Sequence, residues 1–294
     1  MFTRSMNLVL SAIVSLLFIN SAIADSEGLE LLWEMEGLSS PESVIYDPEI
    51  NMLFVSNMNG DPFEKNHNGY ISVVSADGKI LTEKWVEGLN APKGLGIYGR
   101  TLYVADIDQL IEIDIDHGRI INRYIVDDAK FFNDVTVADN GDVYVSDMLK
   151  NRIHKLSGDD FQIWVESEDL NNPNGLLFTE DDIIVGTWGI MTDGFATEVP
   201  GHLLRISINT KKISSVGDGS PVGNIDGLDG SDETGFYVTD WLSGGLFHVD
   251  ANGASKKMLE FDQGSADFDF IEKTGLFYIP QMIESKLYAY KLTK

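Results

Sequence analysis

The chain has 294 residues, with 47 Asp+Glu against 21 Lys+Arg, a formal net charge of −26, and no cysteine. That balance argues against nucleic acid or an anionic membrane as partner, because both are held by a basic footprint. The missing thiols exclude disulfides, thiolate metal sites and a cysteine nucleophile, and an apolar fraction of 43% is too high for a disordered chain.

The first 24 residues read as a secretory signal peptide. Arg4 supplies the basic start, Leu8 to Ile19 is a largely apolar run, and Ala22-Ile23-Ala24 has the small-x-small cleavage pattern. The run is too short to cross a hydrocarbon core of about 30 Å as a helix, so no membrane insertion is expected. Residues 25–294 are then one exported domain, periplasmic or secreted.

Beyond the leader no amphipathic helix stands out. Short β-branched and aromatic runs alternate with Gly, Asn and Asp, the pattern of an all-β chain. One unit recurs six times, starting at Glu42-Ser-Val-Ile, Lys93-Gly-Leu-Gly, Asn133-Asp-Val-Thr, Asn174-Gly-Leu-Leu, Asp226-Gly-Leu-Asp and Asp267-Phe-Asp-Phe, at spacings of 40 to 52 residues. A second strand follows each start: Leu53-Phe-Val-Ser-Asn57, Leu102-Tyr-Val-Ala-Asp106, Val143-Tyr-Val-Ser-Asp147, Ile183-Ile-Val-Gly-Thr187, Phe236-Tyr-Val-Thr-Asp240 and Phe277-Tyr-Ile-Pro-Gln281. Such periods, with about four strands each, are those of propeller blades. The sixth unit stops after its third strand, Leu287 to Leu292, while Leu29 to Met35 is a spare strand at the start. The expected fold is therefore an all-β six-bladed β-propeller of four-stranded blades, closed by the N-terminal strand completing the last blade, which leaves no open edge.

In a propeller the first strand of each blade lines the central channel. Glu42, Lys93, Asn133, Asn174, Asp226 and Asp267 would then converge at one mouth, with Asn57, Asp106, Asp147, Thr187, Asp240 and Gln281 forming a wider ring around them. Polar residues there can simply solvate a wet channel. The inner ring is nevertheless rich in carboxylate and amide oxygens, the hard donors preferred by Ca2+. Mg2+, Mn2+ or Zn2+ could take its place, although a softer metal would miss Cys and clustered His.

At these residues the sequence resembles the gluconolactonase, senescence marker protein and luciferin-regenerating-enzyme-like family of six-bladed propellers. Phe132-Asn133-Asp134 resembles its N-D segment, Asn172-Pro-Asn174-Gly-Leu its P-N-G-L segment and Ile225-Asp226-Gly-Leu its D-G-L segment, while Pro41-Glu42 stands where the family has E-G-P. The resemblance spans Leu29 to Lys294. It implies Glu42, Asn174 and Asp226 as metal ligands, Asn133 as ligand or substrate contact, and Asp226 as catalytic base. Two departures stand out: Lys93 occupies the blade-two position, and the arginine that sugar-acid lactonases of this family use for substrate recognition has no counterpart. A cation beside a divalent metal costs affinity unless a carboxylate pairs with it, and Asp267 or Asp106 could do so. Lys93 could instead bind a substrate carboxylate or an oxyanion.

The remaining candidates are few. His67 and His202 fall in or beside the two longest loops, 57–69 and 188–202, whereas His154 and His248 fall on third strands and suit packing. Neither a Gly-x-Ser-x-Gly elbow nor a phosphate-cradling loop is present. Trp188, Met191 and Phe195 could roof a ligand or simply pack their loop on the rim. The expected function is metal-dependent hydrolysis of a lactone or related ester, the metal polarising the carbonyl and activating water. Asp226 and Asn133 would be catalytic, and Lys93, Asn133, Asp267 and Trp188 would bind substrate. The alternative is a non-catalytic propeller binding a small ligand or a protein at the same mouth. A monomer acting on a small molecule is expected in the first case.

Overall fold

The computed structural model describes residues 28–293, and the leader expected over residues 1–24 lies outside them. Six antiparallel sheets of four strands surround a central channel. The innermost strands are Pro41–Asp47, Pro92–Tyr98, Phe132–Val137, Pro173–Phe178, Ile225–Ser231 and Asp269–Ile271, in blades one to six. Closure occurs as the sequence leads one to expect. Leu29–Glu36 pairs antiparallel with Lys286–Leu292 and becomes the outer strand of blade six, with a register shift between Leu31 and Trp33. Among the described residues, no helix is long and apolar enough to cross a membrane.

Each second strand is covered on both faces by neighbouring blades, which is why these strands read as unbroken apolar runs rather than alternating ones. Phe54, Ile71, Leu95, Leu102 and Ile111 form one such inter-blade core, and Tyr144, Ile153, Leu176 and Ile183 form another. His154 belongs to this packing. Its ring lies 4.9 Å from that of Phe132, and burial lowers its pKa to about 4.

The innermost strands pose a separate problem, because their channel-side N–H groups have no ladder partner and an unpaired buried amide is costly. Side chains of adjacent blades supply the acceptors. Asp134 Oδ2 accepts the Leu176 amide at 2.5 Å and Thr136 Oγ1 that of Phe178 at 2.8 Å. Asp229 Oδ2 accepts Phe270 N at 2.8 Å, and Asp269 Oδ2 accepts Tyr46 N at 2.6 Å. The glycines of the repeated x-Gly-Leu motif have a matching cause. A Cβ on Gly94 would lie 2.5 Å from the Asp134 Cα, and one on Gly227 would lie 2.9 Å from the Asp267 Cα. Adjacent inner strands approach too closely there for any side chain.

One register expectation is corrected. Pro41, Pro92, Phe132, Pro173 and Ile225 each pair with the polar residue ending their second strand, and in blade six that place falls to Ser265, opposite Gln281. The blade-six equivalent of Glu42 is therefore Ala266. Asp267 sits one residue deeper, level with Ser43, whose hydroxyl donates to Asp267 Oδ2 at 2.5 Å. Blade six lacks the glycine that marks the register in blades two, four and five, so aligning its acid with Asp226 shifts the strand by one.

Candidate functional site

The other five ring residues do converge. Glu42, Lys93, Asn133, Asn174 and Asp226 form the floor of a cup of about 320 Å3 at the channel mouth, and Asp267 does not line it. All five are buried, Lys93 being only 1% exposed. Asn174 Nδ2 donates to Asp226 Oδ1 at 3.0 Å, which fixes both side chains. The Asn174 Oδ1 and Glu42 Oε2 atoms are buried without a hydrogen-bond partner among the described residues.

Burial sets the protonation of this floor. It raises Asp226 to about 7, while the Asn174 hydrogen bond and the Lys93 charge pull back down. Glu42 is pushed well above the usual carboxylate range, first by burial and then by the nearby Asp226. Lys93 is lowered by burial against the opposing pull of Glu42, Asp106 and Asp226. Neither Asp106 nor Asp267 pairs directly with Lys93. Its ammonium instead donates to the carbonyls of Ala91, at 2.9 Å, and Pro62, at 3.3 Å, and lies 4.5 Å from the centre of the Phe131 ring. Asp106 is committed elsewhere, accepting the amides of Asn90 and Ala91.

The wider polar ring is scaffolding. Asp147 accepts Phe131 N at 3.0 Å, Asn57 Oδ1 accepts Ser39 N at 2.9 Å, and Thr187 Oγ1 accepts His202 N at 3.0 Å, so these residues tie down the segments entering or leaving the strands. None of the six lines the cup, and neither does His67 or His202.

The wall is what sequence reasoning largely missed. It consists chiefly of Met58, Phe131, Met148, Trp188, Trp241 and Met282, with Phe195 above. Five of these directly follow the polar residue that ends a second strand, as in Asn57-Met58, Asp147-Met148, Thr187-Trp188, Asp240-Trp241 and Gln281-Met282. A large apolar residue recurring at one fixed place in the repeat was the available signal. The expected cluster of Trp188, Met191 and Phe195 exists, packed with Phe131 and Met148, and Trp188 lines the cup. Trp188 Nε1 donates to the Phe195 carbonyl at 2.8 Å.

These donors suit a hard cation. Two buried acceptor oxygens without donors, beside a carboxylate and the Asn133 amide, are what such an ion would satisfy. Among the described residues no three His, Cys, Asp or Glu side chains converge on a point, so amide oxygens must complete any such set.

No protein-family model matches the chain, and neither does any curated protein. Solved structures do resemble it. A gluconolactonase from Xanthomonas campestris is 15% identical with a TM-score of 0.64, over 90% of this chain and 89% of that one. Virginiamycin B lyase from Staphylococcus aureus is 12% identical with a TM-score of 0.63, over 90% and 99%. The Pan2 WD40 domain of Neurospora crassa is 11% identical with a TM-score of 0.58, over 92% and 99%. At such identities the likeness establishes the propeller fold, and a fold hosts many functions.

Proposed function

We propose that the protein is an exported hydrolase of a lactone or related ester, acting as a monomer in the periplasm or outside the cell. The observation that carries this reading is the pair of donorless oxygens, Glu42 Oε2 and Asn174 Oδ1, on a buried floor beside Asp226. Glu42, Asn174 and Asp226, with Asn133, would hold a divalent cation, most suitably Ca2+. Bound there, such an ion supplies a Lewis acid for the carbonyl.

The chain's own groups account for the proton. Asp226, oriented by the Asn174 hydrogen bond, is the carboxylate that exchanges the proton. It takes the proton of a water whose oxygen attacks the carbonyl carbon. It returns that proton to the departing alkoxide as the C–O bond breaks. Asn133 orients the carbonyl, and the positive field of Lys93 favours the developing oxyanion over the neutral ester. The apolar wall keeps bulk water out, so these fields act in a medium of low polarity.

A ligand-binding propeller without catalysis is the second reading. It is favoured by the Lys93 ammonium, which shares the field of Glu42 and Asp226 and opposes a divalent cation. A lactone and aryl-ester panel, run with and without Ca2+ on wild type and Asp226→Asn, separates the two. Turnover lost in the variant supports the hydrolase. Ca2+ binding without turnover of any ester supports the binding protein.

A further inference from the structure

The cup is built of two unlike halves, and the contrast identifies what fits it. The floor offers a charged and polar patch, whereas the wall offers aromatic rings and thioethers. The wall's hydrogen-bonding capacity is small: Trp188 Nε1 is already committed to the Phe195 carbonyl, which leaves the Trp241 indole N–H as its side-chain donor. Ser40 supplies the one side-chain hydroxyl of the lining among the described residues, and no arginine or histidine lines it. The apolar surface continues outward. Phe63, 45% exposed, comes from the blade-one loop, and its ring centre lies 4.8 Å from that of Phe131 and 6.1 Å from that of Phe195, which comes from the blade-four loop. The two longest loops thus meet through their aromatic rings beside Phe131 of the cup wall. Ile283, also exposed, adds to the lining on another side.

We infer that the ligand is an amphipathic small molecule, a lactone or ester with one carbonyl head and an aryl or alkyl body, and not a polyhydroxylated sugar lactone. This rests on the reading of the floor as the place of the carbonyl. The volume, about 320 Å3, is that of roughly ten waters. It admits a bicyclic or phenyl-substituted lactone with its head on the floor and its ring against Phe131, Trp188 and Trp241. Offset and edge-on ring contacts add to the affinity of such a body beyond its buried area. A sugar lactone would turn its hydroxyls toward this wall. Each one buried without a partner weakens binding by roughly five- to hundredfold.

Two measurements on the full protein test this. The first compares kcat/KM for a phenyl-substituted δ-lactone with that for D-glucono-δ-lactone, and the expected ratio exceeds a hundred. The second follows quenching of Trp fluorescence, since Trp188 and Trp241 line the cup, by a phenyl-substituted δ-lactam and by the polyhydroxy δ-lactam. The phenyl lactam should bind at least tenfold more tightly, and Phe195→Ala should weaken it about tenfold while leaving the polyhydroxy lactam unchanged. Phe195→Leu, which keeps the bulk, should recover part of that loss. Tight phenyl lactam binding without turnover of any lactone would uphold the ligand class while removing the hydrolase. Turnover that favours the sugar lactone, or treats the two alike, would overturn the ligand class while leaving the hydrolase intact. Saturation by neither lactam, with no turnover, would overturn both.

Discussion

Two stretches of the same channel carry enclosed side-chain oxygens and use them differently. On the cup floor, Glu42 and Asn174 are buried and each leaves an acceptor oxygen without a donor. Deeper along the channel, Asp134 is equally buried and Asp229 and Asp269 are half-buried, yet each spends a carboxylate oxygen on the amide of the next blade. Burial alone therefore does not mark a functional acid. Burial raises Asp134 to about 8, Asp229 to about 6 and Asp269 to about 8, as it raises Asp226 to about 7. Among the described residues, what separates Glu42 and Asn174 from Asp134 and Asp229, whose two carboxylate oxygens each accept an amide, is unspent acceptor capacity that a ligand could use.

The contrast can be broken at either layer. The largest effect is expected for Asp226→Asn, which keeps the shape but removes the base. Turnover of a responsive lactone should fall by roughly 10^2 to 10^4 with the circular dichroism spectrum unchanged. A loss under threefold would place the base elsewhere. The counterpart below is Asp134→Ala, which strands the Leu176 and Val135 amides. Urea unfolding should show a loss of about 2–4 kcal/mol. An unchanged midpoint would mean that the inter-blade bonds contribute nothing.

Lys93→Met sharpens the comparison on the floor. Methionine keeps the contact with Phe131 but removes a charge that acts on Glu42 and Asp226. Ca2+ affinity measured by calorimetry should rise by about tenfold. Unaltered or weaker affinity would show that the ammonium does not oppose a cation there.

The smallest effect is a slope. Asp269 has a folded pKa of about 8, raised by burial and by Asp229, against about 3.9 in the unfolded chain. The folded state thus binds more protons between those values. Its contribution to stability is fully present below pH ~4 and is lost as pH rises through about 8. Asn in its place still accepts the Tyr46 amide and does not titrate. Asp269→Asn should gain on the order of 1–3 kcal/mol relative to wild type between acid and alkaline pH, read from unfolding curves at the two ends. Parallel curves for the two proteins would show that the native acid does not titrate abnormally.

Much of this was legible in the sequence. In blades one to five the polar residue opening the first strand and the polar residue closing the second strand gave the blade register. The spare strand at Leu29 gave the closure. Five of the six ring residues reached the floor for the same reason: the register fixes both the depth and the direction of a strand residue. Asp267 failed because Phe268 stands where other blades carry leucine or valine, and no neighbouring glycine marks the shift. The Lys93 contacts were not readable, since Pro62 and Phe131 reach the ammonium from a loop and from the next blade, distances that no local pattern encodes. The wall could have been read from the apolar residues after the second strands.

The account depends most on the difference between the two layers of carboxylates, and calorimetric titration with Ca2+ addresses it directly. Wild type and Asp269→Asn should show the same saturable binding, while Glu42→Gln should lose it. Absence of binding in wild type, or binding lost in Asp269→Asn and kept in Glu42→Gln, would contradict it.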